Sequence, residues 1–166
     1  MAKLKKFKLK LDIDKEVTAR PLNPKDDLHF IYNSWLTSYK TSDFARAITN
    51  EVYYTHHHNL ITSILTQVNN SVTVLCDPED HSSILAYIVY NTKDPIVFYT
   101  YVKFNFRGMG LGRYLLEGVR KNFDKTEIQC THKLNKWGKI AKPLELIYNP
   151  YLLKEYSNGD DTNSQD

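Results

Sequence analysis

Cysteine is scarce: the chain has two in 166 residues, Cys76 and Cys130, far apart and without C-x-x-C spacing. That excludes a disulfide framework and a cysteine zinc cluster, and it fits a reducing cytosol. Long hydrophobic runs are missing too, since nothing approaches the roughly 18 consecutive apolar residues of a membrane span. The opening "MAKLKKFKLK" is rich in lysine but has neither an apolar core region nor a small-residue cleavage site, so it does not read as an export signal. Charge of one sign is also limited, 22 Lys and Arg against 19 Asp and Glu leaving a net +3. This argues against nucleic acid as the obligatory partner of the whole domain. A cytoplasmic, soluble protein with no membrane partner and no bound metal is expected.

No repeat and no linker divides the sequence, and one domain of this length can bury a core without disulfides or metals. Residues 1–16 read as a basic arm or an extra strand, because Phe7, Leu9, Leu11 and Ile13 alternate with polar residues. An arm that touches nucleic acid stays open. Residues 17–154 form the domain, and residues 155–166, almost all in the apolar-free "SNGDDTNSQD", are expected to be a disordered tail.

Within the domain, "VTARPL" from Val17 predicts a strand, and "NPKDD" offers Pro24 as a punctuator with Asp26 or Asp27 as a helix cap. Leu28, Ile31, Tyr32, Trp35, Leu36 and Tyr39 then recur at the spacing of one helical face. A second helical region runs from about Phe44 to Val68 and is expected to break near the three histidines. From Ser71, "SVTVLC", "SILAYIVY" and "PIVFYTYV", separated by turn sequences, predict an antiparallel meander whose third strand is central. A helix from about Gly112 to Asn122 follows, then a strand at "TEIQC", a short helix ended by Pro143, and a last strand in "LELIYNPYLL". The fold class is α/β (α+β): one mixed, mostly antiparallel sheet flanked by helices.

Between the third strand and its helix lies "FRGMGLGRYLLEGV", with glycines at Gly108, Gly110 and Gly112. A dinucleotide fingerprint G-x-G-x-x-G fails at Arg113 when counted from Gly108, and at Leu115 when counted from Gly110. A phosphate-binding loop of the nucleotide-hydrolase kind fails because Arg113 and Tyr114, not Lys and Ser or Thr, follow Gly112. Two readings remain: a tight strand-to-helix turn, or a cradle in which backbone N–H groups and a helix N-terminus meet an anion.

Arg107, Gly110 and Gly112 fit the pattern Arg/Gln-x-x-Gly-x-Gly/Ala, and "YTYVKFNFRGMGLGRYLL" resembles the acetyl-CoA-binding motif of the GNAT superfamily of N-acetyltransferases. The element order from about Val17 to Thr131 is similar to that family, and "FIYNSWLTSY", "YYTHHH" and "NPYLL" resemble its tailed-bacteriophage members. The resemblance implies acetyl-CoA as acyl donor and an amine as acceptor, whether in a small molecule, a protein or a modified nucleobase. It implies that the motif strand splays from the next strand, with main-chain contacts to pantetheine from Tyr101 and Val102. The pyrophosphate would lie among Arg107, Gly108, Met109, Gly110, Leu111, Gly112 and Arg113, and the Val102 N–H would stabilise the oxyanion.

The resemblance also implies an acid and a base. Asp94 lies at the start of the motif strand, where histone-type members carry a catalytic glutamate, but it also precedes Pro95 in a ready-made turn. His81 and His132 are alternative bases that otherwise read as surface or loop histidines. The family's Asn-x-x-Ala-x-x-Leu-Tyr pattern is broken after Asn135 by Gly138, Ala141 and Lys142, which leaves Tyr148 as the substitute acid. Trp35, Tyr39, Tyr53 and Tyr54 could wall the acceptor side or fill the core. His56 to His58 point about 100° apart on a helix and cannot converge on a metal. A catalytically silent domain that binds a protein or nucleic-acid partner is the competing reading.

Overall fold

The computed structural model describes residues 3–8, 14–124 and 126–157. Seven strands form one sheet in chain order: β1 (Lys3–Lys8), β2 (Asp14–Pro21), β3 (Asn70–Cys76), β4 (Ile84–Asn91), β5 (Ile96–Val102), β6 (Ile128–Cys130) and β7 (Leu146–Tyr148). The first five are antiparallel neighbours, and β5, β6 and β7 run parallel to one another. Two helices, α1 (Pro24–Lys40) and α2 (Asn50–Thr66), connect β2 to β3. Between β5 and β6 lies α3 (Leu111–Arg120), between β6 and β7 lies α4 (Trp137–Leu144), and α5 (Lys154–Ser157) ends the described chain. Of the tail expected over residues 155–166, the first three belong to α5, with Tyr156 packed edge-on against Phe98 at 5.1 Å, and the rest lies outside the described residues.

Alternation along β4 explains the two cores. Tyr87 and Val89 pack with Ile31, Trp35 and Ile61 of α1 and α2, whereas Ala86 and Ile88 pack with Leu111, Leu115, Leu116 and Val119 of α3. One bulge breaks this order on β5. Val89 faces Tyr99 and Tyr90 faces Val97, so Phe98 is the extra residue, and Phe98 and Tyr99 both join the α1–α2 core. Trp35 stacks flat on the Tyr99 ring, with centroids 4.8 Å apart.

Several expectations give way to longer-range partners. Asn23, not Asp26 or Asp27, occupies the cap position of α1, with Pro24 in its first turn. Asp27 instead accepts from Arg20 at 2.6 and 3.0 Å and from the Asn23 N–H at 2.7 Å. Burial favours the neutral acid, yet these donors outweigh it and hold the Asp27 carboxyl below its usual value. The second helix starts only at Asn50 and passes unbroken through the histidines. Pro143 sits inside the last turn of α4, and "NPYLL" forms a 3-10 turn over Pro150–Leu153 in place of strand.

Candidate functional site

The site rests on β5 having two unlike neighbours. Against β4 the ladder runs through Val102, and the Lys103 N–H still reaches the Leu85 carbonyl at 2.8 Å. Against β6 it holds for two residue pairs, Ile96 with Gln129 and Val97 with Cys130. One more backbone bond follows, from Thr131 N–H to the Val97 carbonyl at 3.1 Å. Then side chains bridge the strands: Thr131 Oγ1 donates to the Phe98 carbonyl at 2.6 Å, and the Thr100 N–H donates to His132 Nε2 at 3.2 Å. The strands therefore part, and the C-terminal half of β5 keeps an edge that the backbone of β6 does not cover. Alternation turns the N–H groups of Thr100 and Val102 to that edge and that of Tyr101 toward β4. Of these, the Thr100 N–H is taken by His132 Nε2, so the Val102 N–H is the one that faces the edge beyond it.

At the parted end the chain enters the glycine loop. Gly108 and Gly110 take φ of 82° and 83°, a left-handed backbone that side-chain-bearing residues disfavour, which is why glycine stands at both. Gly110 caps α3, and the first intrahelical bond is Tyr114 N–H to the Gly110 carbonyl at 2.9 Å. The N–H groups of Leu111, Gly112 and Arg113 consequently have no acceptor within the helix. They carry the positive end of the helix dipole, the arrangement that suits an anion.

Side chains around the loop play mixed parts. Arg107 Nε holds the Val102 carbonyl at 2.9 Å, and its guanidinium lies 5.6 Å from the Phe104 ring and 6.0 Å from the Tyr101 ring. It ties the start of the loop to the end of β5. Arg113 pairs with Glu117 at 3.0 Å on the half-exposed face of α3. Met109 is half-buried, and Leu111 is buried in the α3 core, so only its backbone can serve a ligand.

The acid and base candidates are scattered. Asp94 is exposed in the turn before β5, where Asn91 Oδ1 accepts from its N–H at 2.8 Å. Roughly 20 Å or more of extended strand, at about 3.3 Å per residue, separates it from Val102. Tyr148 stands opposite Cys130 in register and is 38% exposed, with the Lys133 ammonium 5.1 Å from its ring. It lies close enough to Tyr39 that, after burial, it helps raise the Tyr39 hydroxyl above its ordinary range. His81 is exposed, and its carbonyl accepts from Arg20 at 3.2 and 2.7 Å.

His132 departs from its reading as a surface histidine. It is buried, its ring 4.4 Å from that of Tyr99, and burial pushes its pKa down to about 4 against a weaker upward pull from the Thr100 and Phe98 backbone. Of the other histidines, His57 is buried between Tyr39 and Tyr53, at 4.5 and 5.0 Å, and His58 stacks on Tyr32 at 4.7 Å while His56 is exposed. Burial takes His57 to about 4 as well. Trp35, Tyr39 and Tyr53 belong to the core, Tyr53 donating to the Leu36 carbonyl at 2.6 Å, whereas Tyr54 is exposed. Thr100, Thr131 and His132 bridge the parting strands, and sequence patterns missed or misplaced them. Their roles depend on two strands parting, and no local pattern encodes that.

No protein-family model and no curated protein matches the sequence. Solved structures share the fold. A possible acetyltransferase from Clostridium difficile 630 superposes with a TM-score of 0.53 at 18% identity, over 80% of this chain and 91% of its own. An acetyl transferase candidate from Pyrococcus furiosus gives 0.50 at 18% identity, over 89% and 96%. The likeness is one of fold: a mixed sheet flanked by helices, the architecture expected from the sequence.

Proposed function

We propose that the protein transfers an acetyl group from acetyl-CoA to an amine. One observation carries this reading: β5 parts from β6 and, at the parted end, runs into a loop with two left-handed glycines and a helix N-terminus with uncommitted donors. Side chains hold the Phe98 and Val102 carbonyls and the Thr100 N–H, and the stretch of edge that the Val102 N–H faces is where an amide-rich pantetheine arm would pair as an added strand does. A glycine-bounded helix start suits the pyrophosphate. Two buried polar atoms on the same edge, Thr100 Oγ1 and His132 Nδ1, have no partner among the described residues, as a site built for a polar ligand would leave them.

In the transfer, the amine nitrogen bonds to the acyl carbon as the carbon–sulfur bond breaks. The amine loses a proton, the sulfur gains one, and an amide and a free thiol result. The Val102 N–H is the donor for the acyl oxygen as negative charge builds there. We assign Tyr148 as the proton source for the sulfur. Asp94, at the far end of β5, is left out of the reaction.

Thermal unfolding with acetyl-CoA tests the binding step. A ligand at about 100 times its Kd adds roughly 2.7 kcal/mol, which raises the melting temperature of a chain this size by about 5–10 °C. No shift at large excess would sink the proposal. Thiol release measured with a panel of primary amines then separates turnover from binding.

A further inference from the structure

Thr100 Oγ1 and His132 Nδ1, the two unpartnered buried atoms of the parted edge, flank a single hydrogen bond, that from the Thr100 N–H to His132 Nε2. Both residues are 7% exposed. A neutral imidazole that accepts at Nε2 carries its one proton on Nδ1. Burial keeps this ring neutral, and its lone pair is committed to the strand. His132 is therefore not set to take a proton from an amine; what it offers is an Nδ1–H donor. The neighbouring Phe98 carbonyl is already engaged by Thr131 Oγ1 at 2.6 Å.

A secondary amide presents one acceptor and one donor, and the two orphaned atoms supply one donor and one hydroxyl able to accept. We infer that His132 and Thr100 are side-chain binding residues for the pantetheine arm, Nδ1–H donating to an amide carbonyl of the arm and Thr100 Oγ1 accepting from an amide N–H. The inference rests on the acyl-CoA reading above. It adds side-chain contacts where the motif resemblance implies main-chain pairing alone, and it gives His132 a role other than general base.

The test is calorimetric titration of the wild type, H132Q, H132L and T100V with CoA and with its nucleotide half, 3′-phosphoadenosine 5′-diphosphate. One lost hydrogen bond corresponds to about a five- to tenfold weaker Kd. H132L and T100V are expected to lose that much for CoA and to stay within about twofold of wild type for the nucleotide half. H132Q, whose amide oxygen can accept from the Thr100 N–H while its NH2 donates, should remain within about threefold for CoA. Wild-type CoA affinity in T100V, or equal losses for both ligands, overturns the inference, and neither result needs H132L to fold. If the wild type binds both ligands and the variants show either of these patterns, the acyl-CoA reading stands and only the side-chain contacts fall. A wild type that binds neither ligand overturns both. Nitrogen-15 spectra of the free protein at pH 7 should show the His132 ring proton on Nδ1, and a proton on Nε2 would also overturn the assignment.

Discussion

Lys40 Nζ donates to the Ile48 carbonyl at 2.7 Å, and the same ammonium reaches the carbonyls of Ala45 and Arg46 at 3.0 and 3.3 Å. Lys40 is the last residue of α1, so one charge at a helix C-terminus folds the connection to α2 back onto that helix. Replacing it with methionine keeps the apolar stem and removes all three bonds. Lys40→Met should cost about 1.5–3 kcal/mol, the range for hydrogen bonds to a charged group. Hydrogen exchange over residues 42–49 should accelerate while that of β3 to β5 does not. Unchanged exchange in the connection would show that Lys40 does not organise it.

Stability should fall with acidity in two stages. His57 and His132 have folded-state pKa values near 4 against an ordinary 6.5. As pH drops below 6.5, the unfolded chain takes up these protons first. Their stabilising contribution is therefore complete above pH 6.5 and is lost down to about pH 4, at a slope of about 1.4 kcal/mol per pH unit for each ring. Asp27, held below its ordinary value of 3.8, contributes above that value and loses its contribution as pH falls through its folded pKa. Denaturant melts from pH 7.5 to 4 measure the slope. His57→Phe keeps the stack between Tyr39 and Tyr53, removes a buried nitrogen without a described partner, and should halve the slope between pH 6.5 and 4.

The elements legible in the sequence were those written in local patterns. The apolar face of α1, the three-strand meander and the glycine loop each follow from neighbours within a few residues, and all three are present. What the sequence hid was non-local. Asp27 has the chemistry of a cap, but Arg20, seven residues earlier at the end of β2, claims its carboxylate at 2.6 Å. Phe44 to Ile48 continues a helix-like pattern, but Lys40 holds the carbonyls of Ala45, Arg46 and Ile48 in turns. His132 follows a short strand and reads as loop, yet it is buried because its ring packs on Tyr99 and accepts from the Thr100 N–H just past the point where β6 leaves β5.

The two glycines at the start of α3 should respond oppositely to alanine. Gly110 has φ +83°, and a Cβ there would meet nothing within 4 Å, so the cost is backbone conformation alone. Gly110→Ala should destabilise by about 1–2 kcal/mol. Gly112 lies inside the helix, where a Cβ would sit 3.5 Å from Val102 Cγ2 and 3.7 Å from Leu134 Cδ2, ordinary contact distances. Gly112→Ala should be neutral or stabilise by up to about 1 kcal/mol through helix propensity. Equal destabilisation of both variants in denaturant melts would contradict this account of the loop.

The Arg20–Asp27 pair joins β2 to the first turn of α1, with side chains 14% and 2% exposed. Asp27→Ala leaves the guanidinium with the carbonyls of His81 and Pro21 and deprives the Asn23 N–H of its acceptor. Removing one partner of so buried a pair costs about 3–5 kcal/mol, and the remaining carbonyl acceptors put this case at the low end. The loss should be matched by Arg20→Met and should not double in the combined variant, because both changes remove the same interaction. Full additivity in a double-mutant cycle would mean that the two residues act separately.

Asp94 and Tyr148 should separate in their effects on turnover. Asp94 is exposed in the turn at the far end of β5 from Val102, whereas Tyr148 stands on β7 opposite Cys130, two residues before His132. With an amine that supports thiol release, Asp94→Asn should keep kcat within about twofold. Tyr148→Phe removes the hydroxyl that would protonate the departing sulfur, and general acid catalysis contributes typically about 10²–10⁴-fold. The expected loss is in kcat, with the affinity for CoA unchanged, because the phenyl ring and its contact with Lys133 remain. A large loss in Asp94→Asn together with a silent Tyr148→Phe would reverse the two assignments and place the proton chemistry at the other end of the strand.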